Sequence, residues 1–346
     1  MKTSFCFACL LWGTPLVRAQ DFNFVQSLLL PQVVNPAAAG HQSLYRGQVA
    51  ALYRGQWDNA GSEQSYQGAA AAADLRFCLQ NQYKNFFALG LVLQHDWSPL
   101  GGLSNTAGQL SGAFHLHLGN ETFASAGAYL GALGYRLDPD RLKFNAQYLN
   151  GNYNPNAPTG ESFSRNGAIK PDLGSGIEVY NNGKGWSTGV AWRHVNKPGY
   201  SLHDDDANRL GIGWVVHGSA TLGQNKAGAR AWLLRGLYRR QSFSGGNSAQ
   251  WQGLLGAFRQ VTYNTGAKTR LTAGAYFRLG GRPGAAVAVN TLIPAVQLGS
   301  DNFTAALSYD ISLQRTRSRF AGGLELSLAY SFGETDRCVV CRGPGL

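Results

Sequence analysis

Apolar and polar positions alternate most clearly near the end of the chain. Leu324, Leu326, Leu328, Tyr330 and Phe332 are apolar or aromatic, whereas Glu325, Ser327, Ala329 and Ser331 are small or polar. Strand side chains point to opposite faces with a period of two, so this run predicts a strand with one greasy face and one wet face. The pattern recurs upstream. Tyr45, Gly47, Val49, Ala51, Tyr53 and Trp57 share one face, and Arg46, Gln48, Arg54 and Gln56 share the other. Leu110, Phe114, Leu116 and Leu118 oppose Ser111, Ala113, His115 and His117. Trp186, Thr188, Val190 and Trp192 oppose Ser187, Gly189, Ala191 and Arg193, and Leu210, Ile212, Trp214 and Val216 make a further face. Leu271, Ala273, Ala275, Phe277 and Leu279 oppose Thr272, Gly274, Tyr276 and Arg278. Phe303, Ala305, Leu307, Tyr309, Ile311 and Leu313 oppose Asn302, Thr304, Ala306, Ser308, Asp310 and Ser312. Turn-rich joints separate the runs, as at 98–102, 181–183 and 280–284.

Repeated alternation that ends on aromatics predicts an all-β fold, a closed antiparallel transmembrane β-barrel with lipid-facing and lumen-facing positions in turn. After the first residues of the chain, no apolar run approaches the roughly 20 residues of a membrane-spanning helix. A closed barrel is the other structure that satisfies every backbone polar group in lipid. Dividing roughly 290 residues by about 20 per strand and connection gives about 14 strands of about 10 residues. An even count places both ends of the barrel in the periplasm, with the polar stretches 150–171 and 197–208 as extracellular loops.

The remaining segments complete the organisation. Residues 1–19 read as a secretory signal peptide: a charged start, a short apolar core, and Ala19 before the cut. Residues 20–41 carry Pro31, Asn35, Pro36 and Gly40, which make a poor strand and an ordered lead-in or partial plug. The barrel is expected over 42–332 and a periplasmic tail over 333–346.

Composition supports the barrel. The chain has 45 glycines, 8 Trp, 15 Tyr and 17 Phe against 14% charged residues, and that much glycine weakens helices throughout. The net charge of +11 points to a basic lumen or contact with the anionic headgroups of outer-membrane lipid. Nucleic acid is not expected as a partner of an exported barrel.

Candidate chemistry is sparse. Cys338 and Cys341 have the spacing of a redox or half-zinc motif. Zinc needs four ligands and no second pair accompanies them. A thioredoxin-like site needs a helix start inside an α/β fold. A structural or oxidised pair is the expectation, and neither a metal nor another cofactor is expected. His115 and His117 point the same way, into the lumen. The run 203–206 reads as an acidic loop tip. Arg46, Arg54, Arg193, Arg278 and Asp310 project inward, where they would cross-brace the barrel or line a channel. Asn35 and Pro36 with Gly40 read as a turn that seats the N-terminal segment, with partner binding as the alternative. No Gly-x-Ser-x-Gly, His-Glu-x-x-His or phosphate loop occurs, so no enzyme is expected.

Several of these segments in order resemble the PorP/SprF outer-membrane proteins of the type IX secretion system. Phe24, Val25 and Gln26 are followed by Pro31, then Asn35, Pro36 and Ala37 with Gly40, then Tyr45 and the run Tyr53, Arg54, Gly55, Gln56 and Trp57. The middle of the chain matches over 189–198 and the end over 308–312 and 322–330. Two departures stand out: Leu324 replaces the family's usual aromatic, and the cysteine-bearing tail differs. The resemblance implies a barrel that holds or positions secreted surface protein, including adhesins placed in gliding motility. It also implies two kinds of partner: type IX cargo, through its C-terminal domain, and periplasmic type IX components. A general diffusion porin or substrate channel is the alternative from composition alone. A barrel lipid hydrolase is a third reading.

Overall fold

The computed structural model describes residues 24–41, 45–56, 66–78, 85–98, 102–161, 166–200, 209–223, 230–243, 249–265, 267–281, 288–313 and 322–333. Among them are sixteen strands: β1 (Gly47–Gln56), β2 (Tyr66–Cys78), β3 (Phe86–Ser98), β4 (Leu103–Gly119), β5 (Thr122–Leu137), β6 (Tyr148–Leu149), β7 (Asn152–Tyr153) and β8 (Gly167–Asn181). The rest are β9 (Trp186–Arg193), β10 (Leu210–Leu222), β11 (Arg230–Phe243), β12 (Ala249–Thr265), β13 (Ala267–Gly281), β14 (Ala288–Gly299), β15 (Phe303–Ser312) and β16 (Gly323–Phe332). Fourteen form one closed antiparallel barrel, each paired with its neighbours in the chain, and β6 and β7 form a separate hairpin in the connection from β5 to β8. Ten residue pairs, from Gly47 opposite Phe332 to Gln56 opposite Gly323, join β1 to β16 and close the wall.

The alternation read from the sequence becomes two faces. Along β16 the even residues are exposed and the odd ones buried, and β3 and β15 repeat the pattern. The exposed side chains form a leucine-rich band bounded by aromatics. Phe77, Trp232, Tyr263, Phe303, Tyr330 and Phe332 lie toward the rim where β1 begins, and Tyr53, Trp214, Tyr238, Phe277 and Tyr309 toward the other. Two aromatic girdles around an apolar band are the outer surface of a membrane barrel.

The rims differ. Where β1 begins and β16 ends, connections are tight: Asn120 and Glu121 turn β4 into β5 with φ of 46° and 59°, the doubly left-handed geometry that matches hairpin twist. The opposite rim carries the longer connections, including the one over 138–166 that holds the β6–β7 hairpin. Short periplasmic turns and longer outer loops are the usual arrangement in such barrels.

Three expectations change. The loop expected at 150–171 ends earlier, because β8 starts at Gly167 and pairs with β5 through Pro171 opposite Ala132. Leu210 was grouped with the outward Trp214 and Val216, but a register shift between Leu210 and Gly213 turns it into the buried core. Such a bulge reverses the facing of the residues beyond it. Arg46 shares the inward parity of Arg54 but precedes the first strand residue and is exposed at the rim. Trp57, Cys338, Cys341 and the run 203–206 lie outside the described residues, as does 1–19.

Candidate functional site

The lumen is not empty. Residues 24–41 fold as a 3-10 turn (Ser27–Leu29), one α-helical turn (Pro31–Val34) and a second 3-10 turn (Pro36–Ala38). Most of these side chains are buried. Proline starts the second and third turns, where its missing N–H costs nothing. Every polar backbone group carried into a barrel needs a partner, and inward side chains supply many of them.

An ionic knot holds the first residues. Glu325 on β16 is buried; its Oε1 accepts from Gln26 N at 2.5 Å and its Oε2 from Val25 N at 2.9 Å. Directly opposite on β1, Arg54 donates from Nη1 to Glu325 Oε2 at 3.1 Å and from Nη2 to Asp310 Oδ2 at 2.5 Å. Arg278 on β13 adds a third link, Nη1 to Asp310 Oδ2 at 2.8 Å. Gln26 Nε2 also donates to Ser308 Oγ at 3.0 Å. Two guanidinium and two carboxylate groups thus compensate one another, and the excess acceptor capacity takes up the segment's N–H groups.

A second seat lies below the knot. Asn35 is fully buried; its Oδ1 accepts from Ala37 N at 3.0 Å, and its Nδ2 donates to Ile177 O at 3.0 Å and to His217 Nε2 at 3.0 Å. Ser125 donates to Ala37 O at 2.9 Å. His115 contacts Ala39 O and the Tyr180 hydroxyl, each at 2.9 Å, and stacks on Phe86. Arg76 donates to Gly40 O and, at 2.9 Å, to His41 O. Gly40 has φ of +75°, and a Cβ there would lie 2.8 Å from Ala88 Cβ. Glycine is therefore required on both counts.

Two further features shape the lumen. Asp172 accepts from His194 Nδ1 at 2.7 Å and from the Tyr129 hydroxyl at 3.0 Å. In the connection between β9 and β10, Tyr200 folds inward, packs on Tyr135 at 4.5 Å and donates to Asn105 Oδ1. Burial holds its hydroxyl above the ordinary phenol range, so it stays a proton donor. On the side of the β1 start, between the segment and the wall from β8 round through β16 to β1, a cavity of about 420 Å³ remains.

The residues singled out in the sequence fall into three groups. Asn35, Pro36, Gly40 and Arg54 come together around the N-terminal segment. His115 joins them as a seat rather than in a histidine pair, since His117 packs against Phe123. Arg46 contributes backbone contacts only at the rim, its N–H to Gly333 O at 3.1 Å and its carbonyl accepting from Arg76 N at 2.8 Å. Arg193 is buried beside His194. Glu325, Gln26 and Arg76 were missed; a lone carboxylate on the wet face of a leucine-rich strand was the available signal. No group of three His, Cys, Asp or Glu suited to a metal occurs among the described residues.

The model of the family described as "Type IX secretion system membrane protein PorP/SprF" matches residues 17–330. Among solved structures, the P. putida toluene transporter TodX is 12% identical; the match covers 86% of this chain and 93% of that one with a TM-score of 0.47. A Pseudomonas aeruginosa FadL homologue is 11% identical over 86% and 93%, TM-score 0.45. BamA from Haemophilus ducreyi is 9% identical over 83% and 70%, TM-score 0.42. Among curated proteins none matches significantly.

Proposed function

This chain belongs to the PorP/SprF family of type IX secretion membrane proteins, and from that premise we propose that it holds or positions a secreted surface protein at the outer membrane. It is an outer-membrane β-barrel of the type IX secretion system, and both family and fold are those of a membrane secretion protein rather than an enzyme. The observation that carries the scaffold reading is the occupied lumen: residues 24–41 hydrogen-bond to inward groups on β2, β4, β5, β8, β10, β15 and β16. A segment tied to so many strands acts as a plug and stiffens the wall. A rigid, closed barrel suits anchoring better than diffusion.

On this reading the longer loops receive the C-terminal domain of the cargo, and the short-turn rim meets periplasmic components of the machinery. The signal peptide over 1–19 delivers the chain to the periplasm, and 333–346 forms a tail on that side. Adhesin display, as in gliding, is the expected biological output. The test is to purify the tagged protein from outer membranes and identify what accompanies it by mass spectrometry. A large surface protein carrying a type IX C-terminal domain is expected. A barrel without any partner, from membranes rich in such cargo, would return the argument to a porin.

A further inference from the structure

We propose that the unfilled part of the lumen is a docking site for an extended acidic segment of a periplasmic partner, with Arg235 as its anchor. The inference rests on the functional reading only for the statement that the short-turn rim faces the periplasm. The cavity of about 420 Å³ lies in the range of ligand pockets, and it reaches that rim, because Asn182, Asp301 and Asn302 from the turns line it. At its inner end Arg235 is half-buried, its guanidinium 5.2 Å from the centre of the Phe258 ring. It donates to two neutral acceptors, the Tyr276 hydroxyl at 3.2 Å and Gln297 Oε1 at 3.2 Å.

In this it differs from the knot arginines Arg54 and Arg278, which face carboxylates. Asp310 and Glu325 are occupied by Arg54 and Arg278, Asp172 by His194, and Glu178 lies 3.1 Å from His41. Arg235 is oriented by an aromatic face and two neutral oxygens, with N–H groups left for a carboxylate, the geometry a guanidinium fork recognises best. Arg270, exposed nearer the rim and donating to Ser300 O at 3.1 Å, places a second positive charge along the approach, against the carboxylates of Asp301 at the mouth and of Glu178 beside His41, which also line the cavity. The wall between them offers Gln260, Thr272, Gln297 and Ser331, donors and acceptors suited to a peptide backbone. A carboxylate-bearing chain inserted from the periplasm would satisfy both the fork and this wall.

The full chain, purified in detergent, is titrated against a fluorescein-labelled hexapeptide alternating glycine and aspartate, with anisotropy as the readout. The same peptide with asparagine for aspartate serves as the neutral probe. The acidic peptide should bind, weaken with added salt, and outcompete the neutral one at least tenfold. Arg235→Gln should cost at least tenfold, Arg270→Gln about threefold, and Arg235→Lys should fall between, keeping the charge but losing the fork. Folding of each variant is checked by the heat-dependent gel mobility of the closed barrel. Equal binding by wild type and a folded Arg235→Gln, or no binding at millimolar peptide, would overturn the proposal. Displacement by glutarate at the same concentration as unlabelled peptide would also overturn it, as a site for free carboxylates. The assay contains no cargo. A strain lacking the gene that still displays its cargo would sink the scaffold reading and leave these titrations as they are.

Discussion

The two sides of the lumen solve opposite packing problems with the same alternating strands. Against β5, β8 and β9 the inward positions include Gly127, Gly176 and Gly189; the backbone at Pro36 and Ala37 comes down onto Gly127, and the Asn35 side chain onto Gly176 and Gly189. A Cβ on Gly127 would lie 2.8 Å from Ala37 N and Cα, and one on Gly189 2.7 Å from Asn35 Nδ2. Against β11 to β14 the inward positions carry Arg235, Gln260, Thr272 and Gln297, and a cavity remains. Small inward residues admit another piece of chain; long polar ones keep it out and leave their hydrogen-bonding ends available. Period two decides which residues face the lumen, and their size decides whether the lumen is filled.

The bluntest way to break this comparison is to remove the filling. A chain lacking residues 24–38 should pass steady current in planar bilayers where the full chain is silent. A full-length protein that conducts as well as the deletion would mean that the segment does not close the lumen.

Next comes the knot that holds the segment's start. Glu325→Ala leaves Arg54 without one of its two carboxylates and the N–H groups of Val25 and Gln26 without acceptors. Breaking one partner of a buried ion pair costs about 3–5 kcal/mol, read as a lower denaturant midpoint for barrel unfolding. The double change Arg54→Met with Glu325→Leu should cost less than the two singles added together, because no buried charge is left uncompensated. Strict additivity would show that the two side chains act independently.

Much of this was legible beforehand, for physical reasons. Alternation is local, so the faces of β4, β9, β13, β15 and β16 followed from residue parity, and the strand count followed from spacing. Arg54, Arg278 and Asp310 were identifiable as braces because charged groups on the wet face of a membrane strand need partners. Parity failed at Leu210, where a bulge has no signature in the alternation itself, and at Arg46, where the strand had not begun. Glu325 and Arg76 went unnoticed because their roles depend on a segment that crosses the lumen 300 and 36 residues away in sequence. Prolines and a glycine mark such a segment as irregular, but nothing local says which strands it will meet.

The comparison is sharpened by matched substitutions on the two sides. Gly127→Val should drive two methyl groups into the backbone at Ala37, and overpacking of this kind costs about 1–3 kcal/mol. Asn35→Ala removes the cap on Ala37 N and leaves Ile177 O and His217 without their shared donor, at about 1–2 kcal/mol. On the open side, Thr272→Val replaces a buried hydroxyl at the cavity wall by a methyl of similar size without overpacking, so its cost should stay at about 1 kcal/mol or less. The ranking is the test, measured as denaturant midpoints on one preparation series. If Thr272→Val costs as much as Gly127→Val, the cavity wall is as tightly packed as the glycine floor, and the distinction between the two sides fails.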